Sequence, residues 1–158
     1  GFPGVPLKIA FPHLEACLLD SLKKRVNFLE ETFALLKLEN ISAIHGRAEE
    51  FAKNKAYREQ YDLCVSRAVS NLATLSEYCL PYVKVGGHFI SYKSGTIQEE
   101  LQQAEKAVKI LGGKIQDVVY FNLPDSEIQR SLVVIEKMKP TPGRYPRKAG
   151  TPLKEPLA

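Results

Sequence analysis

No apolar run in this chain approaches the roughly 18 residues that a membrane-spanning helix needs, so no spanning segment is expected. No initiator Met or targeting segment opens it. GFPGVPLKIAF runs straight from a turn into a short helical pattern, like the second half of something longer. Cysteine is scarce: Cys17, Cys64 and Cys79 are odd in number, widely spaced and each set among apolar residues. Metal sites cluster their ligands, as in Cys-x-x-Cys, and disulfide scaffolds are denser in cysteine. The three thiols therefore read as buried and free in a reducing cytosol, which gives a cytoplasmic expectation. His13, His45 and His88 are scattered at no ligand spacing, so no metal is expected.

What is present fits one domain with a substantial core: 158 residues, 44% hydrophobic and 25% charged. The net charge of +4 is modest, but its distribution is uneven. KMKPTPGRYPRKAGTPLK (137–154) carries Lys137, Lys139, Arg144, Arg147, Lys148 and Lys154 with no acid, among prolines and glycines that oppose regular structure. We divide the chain into a domain over 1–139 and a basic Pro/Gly-rich tail over 140–158. The tail reads either as a solvated segment or as a phosphate-binding one. Tyr145 between Arg144 and Arg147 offers a stacking face for a base, which favours RNA.

Pro6 suits the first turn of a helix that runs to about Phe11. LEACLLD (14–20) then reads as a short buried strand, with Asp20 and Ser21 able to cap the next helix. Leu22, Val26, Leu29, Phe33 and Leu36 give that helix its apolar stripe. ISAIH (41–45), YDLCVSR (61–67) and GGHFISYK (86–93, entered through a Gly-Gly turn) read as strands. NLATLSEYCLPYV (71–83) and TIQEELQQAEKAVKIL (96–111) read as helices, and two final strands follow with no helix between them. The expected fold is an α/β sheet with helices on both faces, a C-terminal hairpin and one antiparallel edge.

In such sheets ligands bind beyond the carboxyl ends of the strands. Asp20 ends the first visible strand, where a carboxylate can accept both hydroxyl hydrogens of a nucleotide ribose; a plain helix cap is the alternative. The second strand runs into HGRAEE, and the third ends in SRA.

GFPGVPLKI, LLDSLKKRVNFL, HGRAEEF, SRAV and RYPRKAGTP together resemble the bacterial 16S ribosomal RNA guanine-N7 methyltransferase family, also called glucose-inhibited division protein B. The resemblance spans essentially the whole chain. It implies a class I methyltransferase fold of Rossmann-like type, S-adenosylmethionine as donor, and a guanine of 16S RNA as substrate, conventionally numbered 527. The family's Asp-x-Gly-x-Gly-x-Gly loop leads into Phe-Pro-Gly, so Gly1 would be its last glycine and the central strand would be missing. Carried over by position, Gly1 and Phe2 would sit against the methionine part of the donor. Asp20 would take the ribose hydroxyls, and Ala48 and Glu49 would border the adenine. Arg67 would line the pocket where donor and base meet, and Arg144, Tyr145, Arg147 and Lys148 would contact RNA.

Guanine N7 already carries an available lone pair, so no general base is required. The chain shows none of the Asn-Pro-Pro-Tyr-like stretches that orient an exocyclic amine, and Cys64 and Cys79 read as core. Arg67 and Lys93 are the candidate catalytic cations. Lys93 is read either as a contact to RNA phosphate or guanine O6, or as a plain strand-end lysine. Competing readings are a methyltransferase on another RNA nucleoside or a small molecule, a dinucleotide oxidoreductase, and a non-enzymatic RNA-binding module. A monomer working on 16S RNA or the small ribosomal subunit is the expectation.

Overall fold

The computed structural model describes residues 1–67 and 70–157; Ala68 and Val69 of the SRAV stretch lie outside the described residues. A first helix, α1 (Gly4–Ala10), is closed off by Lys8, whose ammonium donates to the carbonyls of Pro12 and Leu14. Strand β1 (Ala16–Asp20) pairs in parallel with β2 (Ile41–His45), from Ala16 opposite Ile41 to Asp20 opposite His45. Between them runs α2 (Lys23–Leu35), which buries Val26, Leu29 and Phe33 from the stripe legible in the sequence. Its cap differs from expectation. Leu22 is the N-cap, and Asp20 instead accepts the Leu22 N–H through Oδ1 at 2.9 Å. A two-residue Asx turn therefore replaces the reach to the second or third helical amide that defines a cap.

A one-turn helix, α3 (Ala48–Phe51), follows β2. The second sheet has four strands: β3 (Tyr61–Arg67), β4 (Val83–Ser94), β5 (Gly113–Asn122) and β6 (Gln129–Lys137), in the order β3-β4-β6-β5. β3 and β4 are parallel, whereas β6 runs antiparallel to both β4 and β5. This corrects the expected antiparallel edge. β6 lies inside the sheet because it pairs on its other side with β4, an adjacency that no hairpin signal encodes. A second correction concerns Gly86 and Gly87, which lie within β4 rather than before it, beside the register shift opposite Tyr61 and Leu63. A Cβ on Gly87 would come within 2.5 Å of the Asp62 carbonyl, so close strand approach explains the glycine.

Helices α4 (Leu72–Cys79) and α5 (Gln98–Ile110) pack on each other and supply most of the core with the four-stranded sheet. Leu72, Leu80, Val83, Phe89, Ala107, Leu111, Val133 and Ile135 meet there at or near zero exposure. Burying a side chain such as Phe89 stabilises by roughly 1.5–3 kcal/mol. Strand β6 shows how the sequence sets this face. Ser131, Val133, Ile135 and Lys137 alternate with half-buried residues, and all four are buried.

The two sheets share no ladder hydrogen bonds among the described residues, yet side chains meet across the division, where the Cys17 thiol neighbours the Tyr61 phenol. Burial raises the Tyr61 and Tyr82 phenols well above their ordinary 10.0, and the thiol of buried Cys79 is raised above 9.0 by its neighbour Cys64 and by burial. Each group is therefore held neutral by the fold at pH values where the unfolded chain ionises. The stability so contributed is complete below pH 9 and is lost as pH rises through and above 9–10. Melting temperature is expected to hold from pH 7 to 9 and then fall, and Tyr82→Phe should flatten that alkaline limb. An unchanged limb in Tyr82→Phe would remove Tyr82 from this account.

Candidate functional site

The carboxyl ends of β1 and β2, the start of α3 and part of α4 enclose a cleft of about 280 Å³. Its lining includes Leu19 and Ser21 on either side of Asp20, then Gly46, Arg47, Ala48, Glu49 and Tyr78. Asp20 holds the Leu22 amide with Oδ1, while among the described residues Oδ2 has only a long 3.5 Å ion pair to the exposed Arg25. A carboxylate has about four lone-pair sites, so most of its accepting capacity is unused. An exposed ion pair of that length contributes little and is easily displaced. Ser21 is held from the other side by His45, whose Nε2 lies 3.1 Å from the Ser21 carbonyl.

Ala48 and Glu49 both fall on the cleft wall. The Ala48 carbonyl accepts from the Tyr82 hydroxyl at 2.7 Å, which fixes the start of α3. Glu49 is 6% exposed and its Oε1 accepts the Gly150 N–H at 2.9 Å, so this carboxylate is a buried brace. Tyr78 is pushed up by burial and then by the Glu49 and Glu77 carboxylates, and stays a neutral phenol beside the cleft.

A second cluster lies at the end of β3. The guanidinium carbon of Arg67 stands 5.0 Å from the centroid of the Phe2 ring, and both residues are exposed. This cation–π contact joins two residues that sequence reasoning placed at the reacting end of the donor. Gly1 stands beside Phe2, where an added Cβ would approach Leu29 at 2.8 Å.

Lys93 is placed differently from the RNA-contacting reading. Its side chain is 8% exposed, with Nζ 2.5 Å from Glu100 Oε1 and 2.8 Å from the Ser70 carbonyl. Glu100 also accepts the Leu72 N–H at 2.6 Å. The ammonium is thus committed to fixing the entry of α4. The C-terminal segment likewise is not a detached tail. Tyr145 is 7% exposed in the main core, and Arg147 grips Glu77, itself fully buried, through Nε and NH2 at 2.7–3.1 Å. Arg58 donates to the carbonyls of Thr141, Pro142 and Tyr145, and Thr74 donates to Pro152 in a short last helix, α6 (Thr151–Lys154). Arg144 lies over the Tyr145 ring at 5.0 Å, and it and Lys148 remain exposed. Among the described residues neither forms an ion pair with an acid that would compete with a phosphate.

Sequence reasoning missed Glu77, Tyr78, Arg58, Glu59 and the cleft wall at Gly150 and Leu153. Glu77 had a signal: it is the one acid in the apolar pattern of α4, and a buried acid requires a cationic partner.

The strand order and the cleft at the strand ends define a class I methyltransferase fold. The TYW2 protein of M. jannaschii, solved in complex with AdoMet, superposes with a TM-score of 0.65 at 14% identity, over 87% of this chain and 65% of that one. The family model described as rRNA small subunit methyltransferase G matches residues 1–133, and the chain belongs to that family. Proteins named ribosomal RNA small subunit methyltransferase G from Lachnoclostridium phytofermentans and Alkaliphilus oremlandii are each 57% identical over 99% of this chain. The chain spans 65% and 66% of their respective lengths.

Proposed function

We propose that this chain forms the donor-binding and catalytic part of an S-adenosylmethionine-dependent methyltransferase. Its acceptor is N7 of a guanine in 16S ribosomal RNA, the guanine at position 527, met as RNA or in the small subunit. The observation that carries the reading is the cleft itself. An underused carboxylate at Asp20 and a walled slot at Ala48–Glu49 fit a nucleoside, and family membership supplies the donor class.

When bound, S-adenosylmethionine supplies an electrophilic methyl on a sulfonium. The residues present would act by position. Asp20 accepts the ribose hydroxyls, Ala48 and Glu49 border the base, and Phe2 gives apolar cover at the other end. Arg67, held against the Phe2 ring, would orient the acceptor guanine with its guanidinium. Because N7 would offer its own lone pair and the neutral thioether would leave as the sulfur–methyl bond breaks, no side chain would need to take a proton in the transfer step. Alignment of this kind supplies roughly 7–11 kcal/mol of a barrier. Arg144 and Lys148 remain available for phosphate, whereas Tyr145 and Arg147 support the fold.

The test extends the chain to the length of its relatives and supplies labelled S-adenosylmethionine with unmodified 16S RNA or small subunits. Label is expected in 7-methylguanosine. Arg67→Ala should lower kcat/KM by about 100-fold with donor affinity changed far less. Asp20→Ala should instead weaken donor binding by about tenfold, the equivalent of roughly 1.4 kcal/mol. Label in another nucleoside would discard the guanine assignment, and absence of donor binding would discard the enzyme.

A further inference from the structure

The cleft is not closed by the nucleotide-binding elements alone. Gly150 and Leu153, both in the C-terminal segment, complete its lining. They are held there by contacts far apart in sequence. Gly150 donates to Glu49, Arg147 pairs with Glu77 next to Tyr78, and Arg147 NH2 also donates to the Glu155 carbonyl at 2.7 Å. Thr74 Oγ1 fixes Pro152 at 2.9 Å. The segment from Arg147 to Glu155 is therefore strapped to α3 and α4, the two elements that supply the cleft's inner wall. Leu153 lines the cleft yet is 60% exposed, an apolar side chain with solvent where a flat ligand would lie.

We propose that this strap is part of the binding site, and that Leu153 covers the base of an adenosine-containing ligand. Strap docking and ligand binding are then thermodynamically coupled, with Glu49 as the shared element. The inference rests on the reading of the cleft as the adenine end of a donor site. Glu49 acts as a positioning residue, since its carboxylate is committed to Gly150 while its helix borders the base. Coupling of this kind is reciprocal: whatever strap docking gives to ligand affinity, bound ligand returns to strap docking. The segment's basic residues consequently serve the site in two ways, Arg147 by anchoring the wall and Arg144 and Lys148 by marking its accessible outer side.

The test uses the chain at the length of its relatives and three probes: S-adenosylhomocysteine, adenosine and methionine. Leu153→Ala, a change at an exposed position, should weaken the first two by a similar factor of roughly five, the effect of removing part of one apolar contact. Methionine should bind it as it binds the unaltered protein. Arg147→Ala should weaken adenosine binding by tenfold or more. Cleavage by trypsin after Arg144 and Lys148 should slow several-fold when S-adenosylhomocysteine is present. Equal affinities in both variants, with cleavage rates indifferent to ligand, would overturn the strap's role and leave the donor site standing. A loss in Leu153→Ala that extends equally to methionine would also overturn it. If the unaltered protein binds neither adenosine nor S-adenosylhomocysteine, the donor reading falls and this inference with it. Should Arg147→Ala fail to fold, Leu153→Ala and the cleavage rates decide the matter.

Discussion

Lys137→Ala is expected to destabilise the protein by about 3–5 kcal/mol, the range for breaking a buried charged pair. The side chain has no exposure, and Nζ donates to the Leu80 carbonyl at 2.6 Å, the Val83 carbonyl at 3.2 Å and Thr141 Oγ1 at 2.8 Å. Glu59 Oε1 lies 3.1 Å away and also accepts the Thr141 N–H. Removing the ammonium strands two buried carbonyls and leaves the half-buried Glu59 carboxylate without its cation, and it cuts the joint between β6 and Thr141, where the C-terminal segment begins. At this chain length the loss corresponds to a fall in melting temperature of roughly 6–20 °C. Burial holds the Lys137 pKa below the ordinary 10.5, with Glu59 opposing. Above that lowered value the unfolded chain binds the proton more strongly than the fold does, so this group's contribution rises with pH until 10.5, against the tyrosine trend. Urea denaturation of Lys137→Ala and Lys137→Met would check the prediction, Met keeping the length while losing the donor. A loss below 1 kcal/mol in both would show that the joint is redundant.

Gly112→Ala is expected to cost about 3 kcal/mol or more. Gly112 follows α5 at φ +90°, a backbone that L residues adopt only under strain of roughly 1–2 kcal/mol. A Cβ there would also stand 2.2 Å from the Lys139 carbonyl and 3.2 Å from that of Pro140. The obstruction is backbone rather than a flexible side-chain tip. It cannot swing aside, because the Gly112 carbonyl accepts the amides of both Met138 and Lys139 at 2.8 and 3.1 Å. The helix end and the exit from β6 are therefore locked together at one glycine. Gly143 provides the contrast: nothing lies within 4 Å of its added Cβ and its φ is not in the left-handed region. Gly143→Ala should lie within about 0.5 kcal/mol of the parent by the same denaturation. Equal effects at the two glycines would refute the steric account.

Local pattern carried most of the element list. The apolar spacing of α2, the strands ISAIH and YDLCVSR, and the Gly-Gly stop after α5 all act between near neighbours, and each is where the sequence places it. Sheet order was not legible. The turn between β5 and β6 is local, but the pairing of β6 with β4 joins residues such as Phe89 and Ile135. The C-terminal segment was misread for the same reason. Its composition is that of a solvated chain, whereas the groups that hold it, Glu49, Arg58, Glu59 and Glu77, lie 70 to 101 positions upstream. Two residues did carry a hint. Lys137 continues the buried alternation of Ser131, Val133 and Ile135, and Glu77 interrupts an apolar helix. A charge on a core face signals a distant partner even when the partner cannot be named.

The interior position of β6 also sets an order on the chain's assembly during synthesis. β3 and β4 can pair as soon as both have emerged, but β5 has no neighbour in the sheet until β6 follows it. At roughly 5–20 residues per second this leaves an open strand edge on β4 for a few seconds. Only then can the strap dock, since Arg147 and Gly150 emerge later still. The side of the cleft formed by Gly150 and Leu153 is thus added only after the four-stranded sheet can close, and a nascent chain cannot present a finished site until that segment has emerged.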